Sequence, residues 1–186
     1  IMVRAYQEHI YSREELVANA IFILFAGHET TVNLICNGIL AFINNPEQWN
    51  KLKNNPGLAS KATEECLRYE APVKRFQRLL TRDTKMRGKK LNKGDRVFAV
   101  LSSANRDPQK FVHPDIFDIT RHPNPHISFG GGVHHCLGVS LARMEVQEAF
   151  SALAQKFSTL KLDNQNLDYH ASFNIRSLKS LHISWI

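Results

Sequence analysis

The amino-acid sequence predicts a mainly α-helical chain with a small antiparallel β region, on three observations. A capping-box pair, Ser12 and Glu15, opens a run with no proline before Pro46. Apolar residues Leu137, Leu141, Met144, Phe150, Leu153 and Phe157 recur at helical spacing. Between Phe76 and Leu101 the pattern changes to short β-prone runs punctuated by Arg87-Gly88 and Lys93-Gly94-Asp95. With 186 residues, 43% hydrophobic and 22% charged, the composition excludes disorder, a collagen repeat and a disulfide scaffold. A chain of this length buries about 70% of its unfolded surface and holds one core, so one domain over residues 1–186 is expected.

Taken in order, the first helix begins at Arg13, because the Ser12 hydroxyl and Glu15 carboxylate satisfy free amides at a helix start, and it extends to residue 45. Its apolar stretch Ala20–Ala26 is shorter than the roughly 18 residues needed to span a bilayer, so no membrane span is expected. Asn45-Pro46 restarts a short helix, with Asn45 at the cap and proline in the first turn. A further helix covers residues 60–70 and stops at Ala71-Pro72. The small β region covers 76–101, with Val97–Leu101 its clearest strand. Ser102–Cys136 is proline- and glycine-rich without periodicity, and a connection that long is expected to be functional. A second long helix, 138–157, starts at or just after Cys136, and Thr159–Ile186 reads as strands around a turn.

The formal charge of +7 is compatible with an acidic partner. Its cations are scattered apart from a denser stretch, Lys74–Lys93, and no basic helix with interleaved aromatics supports a nucleic-acid partner. Three widely spaced cysteines, Cys36, Cys66 and Cys136, argue against a disulfide framework and for a reducing compartment. The opening residues from Ile1 carry no secretory pattern, and the expected location is cytoplasmic. A start at isoleucine suggests a cut within a longer chain.

Phe129-Gly130-Gly131-Gly132-Val133-His134-His135-Cys136-Leu137-Gly138 is the most specific local signal. A cysteine after a glycine-rich loop and at a helix start faces free amides and the positive end of the helix dipole, which stabilise an anionic sulfur. The glycines let the backbone approach a flat cofactor closely. Zinc is disfavoured: His122, His126, His134, His135 and Cys136 lack a second half-site, and His28-Glu29 has Val32 where a zinc-protease helix needs histidine.

Phe129, Gly132, Cys136 and Gly138 stand at FxxGxxxCxG spacing, which resembles the haem-binding loop of the cytochrome P450 family. Three further motifs arrive in that family's order. Glu65-Cys66-Leu67-Arg68 resembles its ExxR helix, Ala26-Gly27-His28-Glu29-Thr30 its oxygen-binding groove, and Phe117-Asp118-Ile119-Thr120-Arg121 the segment completing the ExxR ion pair. Ala104-Asn105-Arg106-Asp107-Pro108 and Asn124-Pro125-His126 are similar to the soluble bacterial branch. The resemblance implies a truncated P450-like fold, the carboxyl-terminal portion of a haem-thiolate monooxygenase domain.

That resemblance implies haem b (iron protoporphyrin IX) with Cys136 as the iron's axial ligand. Ala26, Gly27, Arg78, Phe129, Gly130, His134, Leu137, Gly138 and Ala142 would line or hold the cofactor, with Arg78 and His134 on its propionates. Glu29 and Thr30 become the acid and hydroxyl that deliver protons to dioxygen. Glu65, Arg68 and Arg121 become a buried fold lock, although two of them alone would be an i,i+3 surface pair worth only about 0.2–0.5 kcal/mol. Gly27, one turn before Thr30 and Thr31, is either a helix-packing notch or, with a back-bonding threonine, an opening in the helix ladder. Val73, Phe76 and Phe173 would line the substrate. The partners implied are a small apolar substrate and a ferredoxin or flavodoxin with its reductase, passing electrons from NAD(P)H. Two other readings are a haem-binding remnant or interaction module without turnover, and a nucleic-acid binder resting on charge alone.

Overall fold

The computed structural model describes residues 1–163 and 166–186. Helices α1 (Met2–Gln7), α2 (Arg13–Asn44), α3 (Pro46–Asn54) and α4 (Ala59–Tyr69) come first, followed by strands β1 (Arg75–Leu79), β2 (Thr84–Met86), β3 (Lys89–Leu91) and β4 (Arg96–Val100). Short α5 (Leu101–Ala104) leads into the long irregular connection, α6 (Val139–Lys156) follows it, and β5 (Leu160–Leu162) pairs with β6 (Ile183–Trp185). The mainly helical architecture with small antiparallel sheets is therefore the one expected.

The capping box forms as read: the Ser12 hydroxyl accepts from the Glu15 amide at 3.1 Å, and the Glu15 carboxylate from the Ser12 amide at 2.8 Å. From there α2 runs unbroken for 32 residues. Its second half enters the core, where Leu34, Ile39, Ala41 and Phe42 pack against α3, α4 and α6. Phe42 is the hub, meeting Trp49, Phe117 and Phe150 edge-on at centroid distances of 5.3, 5.3 and 5.4 Å. Gly38 allows the closest helix approach. A Cβ there would lie 2.4 Å from Phe150 and 3.1 Å from the Cys66 sulfur, so Cys66 is a packed thiol and α2 meets α4 and α6 through a glycine notch eleven residues beyond Gly27. Gly27 itself has no atom within 4 Å of where a Cβ would stand, which removes it as a packing notch among the described residues.

In contrast, the first half of α2 lies outside the core. Val17, Ile21, Phe22, Ile23, Leu24 and Phe25 are all exposed, an apolar run outside the core. No helix of the described residues is long and apolar enough to cross a membrane.

Several boundaries differ from expectation for local reasons. Asn45 occupies the position before α3, yet its side-chain amide donates back to the Ala41 carbonyl at 2.8 Å, so it finishes α2 and does not cap α3. The 76–101 region is two separate two-stranded ladders, β1–β4 and β2–β3, and not one sheet. Its clearest strand ends at Val100 because Leu101 turns inward, 3% exposed, to begin α5. The second long helix starts at Val139, three residues after Cys136. In the tail β5 and β6 do enclose turns, with a bridge between Tyr169 and Leu178 inside that segment and a bridge from Val73 to Ile175 tying it to the body; positions 164 and 165 lie outside the described residues.

Candidate haem-binding site

The most deeply buried polar structure is built around Glu65 and Arg68, whose side chains are both 0% exposed. The pair is bidentate, Arg68 Nε to Oε2 and Nη2 to Oε1 at 2.8 Å each. Arg121 folds back onto it, its Nε 3.2 Å from both Glu65 oxygens. The Asp118 amide and the Asn124 side chain also donate to this carboxylate, at 3.0 and 3.1 Å. The remaining arginine donors go to carbonyls: Arg68 to Asn105, Pro114 and Ile116, Arg121 to Val112, His113 and Ile116. Residues 105–124 of the irregular connection thus converge on one carboxylate. Such a stretch can stay ordered without a ladder because its carbonyls are satisfied by guanidinium groups.

A second set of bonds carries that order to the glycine loop. Asn105, fully buried, donates to the Ser128 hydroxyl at 2.8 Å and accepts from the Ile127 amide at 2.9 Å, and the Ser128 hydroxyl donates to the Leu67 carbonyl at 2.6 Å. Glu64, beside Glu65 on α4, forms a two-pronged bond with Arg143 of α6, both contacts at 2.7 Å, and lies 3.0 Å from His126. Asn105, Ser128, Glu64 and Arg143 were not among the candidate site residues, and His126 was weighed only as a zinc ligand. The signal was present in the consecutive acids Glu64-Glu65, since adjacent helix positions face different neighbours and each requires its own cation.

Burial pushes the Glu64 carboxyl up, but hydrogen bonds from His126 and Arg143, reinforced by the Arg143 charge, more than reverse this and hold it at about 2, against an ordinary 4.5. A depressed carboxyl contributes stability that is present above its unfolded value and is lost as pH falls through its folded value. Acid titration of stability between about pH 4.5 and pH 2 is therefore expected to be shallower in Glu64→Gln than in the parent, measured as urea midpoint against pH. At neutral pH, with Arg143 39% exposed and screened, the cost of that change is about 1 kcal/mol.

Suspended from this framework, the loop after Phe129 exposes its functional face. Gly130 has φ +71°, and a Cβ on it would stand 3.3 Å from the Phe76 ring; Gly132, at φ +67°, opens a single turn of tight helix ending at His134. The Cys136 amide donates to the Phe129 carbonyl at 3.0 Å, which closes the loop and leaves the cysteine exposed. Around the sulfur Val133 is 98% and Leu137 97% exposed, with Leu141 and Met144 on the next turns of α6 also exposed. Positions Gly131, Gly132 and Gly138 meet nothing within 4 Å of where a Cβ would stand. An exposed thiol in an apolar, glycine-flattened surface matches what a flat iron-porphyrin with a sulfur ligand requires, and the donor set fits haem. Because Gly138 is the cap of α6, Cys136 precedes the helix by one further step than expected.

Other candidate residues fall into two places. Phe76 and Arg78 share a face of β1, the guanidinium 5.7 Å from the Phe76 ring, so Arg78 flanks the contact with Gly130; it is exposed and donates to the Gln77 carbonyl. His134 is exposed, while Phe129 and Ala142 are half-buried, Phe129 beneath the Arg143 guanidinium at 5.0 Å. Val73 bridges to Ile175, which brings it beside Phe173, and Lys74 and Arg75 both turn to this tail turn, donating to the Ser172 and Phe173 carbonyls. Arg75 stacks between Phe98 and Phe173 at 4.2 and 3.6 Å, so its charge is spent on rings and carbonyls. On α2 the Thr30 hydroxyl donates to the Ala26 carbonyl at 2.8 Å, the back-bond read from sequence, yet the helix stays unbroken through Gly27. Ala26 and Gly27 are exposed, and Glu29 and Thr30 half-buried.

Comparison with known proteins agrees with this construction. The cytochrome P450 family model matches residues 57–180. The chain is 43% identical over 185 residues to the biotin biosynthesis cytochrome P450 of Bacillus subtilis, covering 100% of this chain and 47% of the relative, and 46% identical to cytochrome P450 CYP107DY1 of Priestia megaterium, covering 95% and 43%. Among solved structures, P450BioI in complex with an acyl carrier protein ligated to hexadec-9Z-enoic acid superimposes with TM-score 0.90 at 45% identity, over 95% of this chain and 46% of that one. CalO2 superimposes with TM-score 0.94 at 37% identity, over 100% and 47%. The chain spans about half the length of the curated relatives it matches. With the buried Glu65–Arg68–Arg121 lock, the cysteine loop hung from it and a family match over two thirds of its residues, this chain belongs to the cytochrome P450 family.

Proposed function

We propose that this chain is the haem-binding part of a monooxygenase that inserts one atom of dioxygen into a carbon–hydrogen bond of an apolar substrate. The observation that carries the reading is the exposed Cys136 sulfur at the end of a glycine loop locked to a fully buried ion network. Haem b bound there would supply an iron able to bind and split dioxygen, with the thiolate donating electron density. Phe129, Gly130, Leu137, Gly138 and Ala142 would support the ring on the cysteine side, Ala26 and Gly27 the opposite side, and Arg78 and His134 its two carboxylates. Glu29 supplies protons and Thr30, held by its bond to Ala26, presents a hydroxyl to the groove.

The substrate proposed is an acyl chain, free or carried on a protein. The support is the relative whose solved complex holds an acyl carrier protein with a hexadecenoic acid, together with the apolar side chains of Val73, Phe76 and Phe173. Electrons would come from NAD(P)H through a ferredoxin or flavodoxin and its reductase, in the cytoplasm. In haem-loaded enzyme containing this chain, the reduced, carbon monoxide-treated protein is expected to show the red-shifted thiolate Soret band, and the hydroxylated acyl product to carry one oxygen from isotopically labelled dioxygen. Thr30→Ala is expected to keep the band and divert electrons to hydrogen peroxide. Absence of the band, or product oxygen drawn from water, would overturn the reading; haem binding with the band but no turnover would leave a haem-binding module.

A further inference from the structure

Outside the groove, α2 carries a second polar face. Successive residues on an α-helix turn by about 100°. Ala26, Gly27 and Thr30 therefore share one side, His28 lies on the far side, and Glu29 stands at the border between the two. An open cavity of about 370 Å³ lies against that far side, lined by His28 and Glu29 from α2 and by His170 and Ser177 from the tail. The tail closes on itself through the Tyr169–Leu178 bridge and the His170 amide, which donates to the carbonyl of buried Ser177 at 2.9 Å, and it is tied to α2 by Asn37, whose side-chain amide donates to the Arg176 carbonyl at 3.3 Å. On α2, buried Asn33 donates its side-chain amide to the Glu29 carbonyl at 2.7 Å, fixing the turn that carries the acid. Beside His170 stands the Asp168–Lys179 pair, 2.7 Å apart on the same tail ladder.

An acid that delivers protons to the groove must be recharged for every turnover, and a carboxylate at a helix border can be recharged only from the side that water reaches. Imidazole is the side chain that accepts and releases protons near neutral pH. Two imidazoles share this cavity with the one acid adjoining the groove. We propose that His28 and His170 are the proton inlet of Glu29: cavity water protonates an imidazole nitrogen, the imidazolium passes a proton to the Glu29 carboxylate, and Glu29 releases it to the groove. Each group returns to its starting form, and the net transfer is one proton from solvent. The proposal rests on the reading of Glu29 as the groove's proton donor.

The test uses haem-loaded enzyme containing this chain and two measurements. The fraction of NAD(P)H electrons recovered in product, as opposed to hydrogen peroxide, is followed from about pH 6 to pH 8.5 in parent, Glu29→Gln, His28→Gln/His170→Gln and His170→Glu. The double variant is expected to lose coupling about fivefold at the alkaline end and less at the acid end, with a raised solvent isotope effect. His170→Glu, which restores a proton carrier, is expected to keep most of it. Independently of turnover, nitrogen NMR of the two imidazoles in the diamagnetic ferrous carbon monoxide form is expected to show Glu29→Gln changing the nitrogen resonances of His170, which reaches the cavity from the tail and not from the helix that carries the substitution. Loss of coupling in Glu29→Gln with parent behaviour in the histidine double variant and unchanged His170 resonances overturns the inlet and leaves the role of Glu29 standing. Parent coupling in Glu29→Gln overturns both. Should the double variant fail to hold haem, the His170 resonances in Glu29→Gln alone decide.

Discussion

Glu65→Gln is expected to abolish stable haem loading and to lower the unfolding free energy by about 3–5 kcal/mol, the cost of leaving a buried ion pair with one partner. The size follows from burial: neither side chain of the pair is exposed, so water cannot replace the lost charge. Two guanidinium groups are left facing one neutral amide, since Arg68 and Arg121 both lie on the Glu65 oxygens. Their carbonyl partners at Asn105, Pro114, Val112, His113 and Ile116 remain, which limits the loss to the carboxylate side. A domain stability of about 5–15 kcal/mol leaves little after such a loss. The damage spreads toward the cysteine loop, because the connection ordered by these arginines includes Asn105, which holds Ile127 and Ser128. Soret absorbance on haem addition measures the loading, and urea unfolding of the haem-free parent and variant, followed by far-ultraviolet dichroism, measures the stability. Equal midpoints for parent and variant would show that the network is not what holds the loop. The double change Glu65→Met/Arg68→Met is expected to cost less than the two single changes added together, since it removes the stranded charge as well as its partner.

The lock also explains which parts of the molecule were legible in advance. Helix α2 was readable at its start because Ser12 and Glu15 are local: both bonds close within three residues, and no distant contact is needed to form them. The cysteine loop was readable because its glycines and thiol are rare residue types at fixed spacing. Arg121, by contrast, is 56 residues from Glu65, and nothing in its neighbourhood marks it as the third member apart from the family resemblance. Ser128 passed unnoticed for the same reason, and Asn105 was read only as part of a family phrase with no structural role, each being an ordinary polar residue whose value lies in a partner 22 to 61 positions away. The β region failed in a different way. Turn signals at Arg87-Gly88 and Lys93-Gly94-Asp95 are correct, but strand partnership depends on which runs meet, and β1 skips the hairpin between to pair with β4. Packing can also stop an element where propensity would continue it, and Leu101 shows this: β-prone in sequence, it turns into the core at the end of β4.

Cys136→Ser is expected to remove the red-shifted Soret band of the reduced, carbon monoxide-treated enzyme completely and to lower turnover to background, while leaving the fold intact. The two halves of this expectation have separate physical origins. A thiolate donates charge to iron strongly enough to promote dioxygen cleavage, whereas a serine hydroxyl remains protonated and is a poor ligand, so the spectroscopic and catalytic losses arise together. Structure is spared because the cysteine side chain contributes little to it. Cys136 is exposed, its backbone amide bonds to the Phe129 carbonyl whatever the side chain is, and the loop is held by Gly130, Ser128 and the network beyond. The unfolding midpoint of the haem-free variant should therefore match that of the haem-free parent, the opposite of the pattern expected for Glu65→Gln. A Cys136→Ser protein that keeps the thiolate band would assign the ligand to another sulfur. Neither alternative is well placed: Cys66 is fully enclosed against the Gly38 notch, with burial raising its thiol well above the ordinary range, and Cys36 lies on α2 with its thiol also raised by burial. Loss of the band together with an unchanged midpoint would assign the iron to Cys136 and the stability to the ion network, two properties of one loop that the chain keeps on different residues.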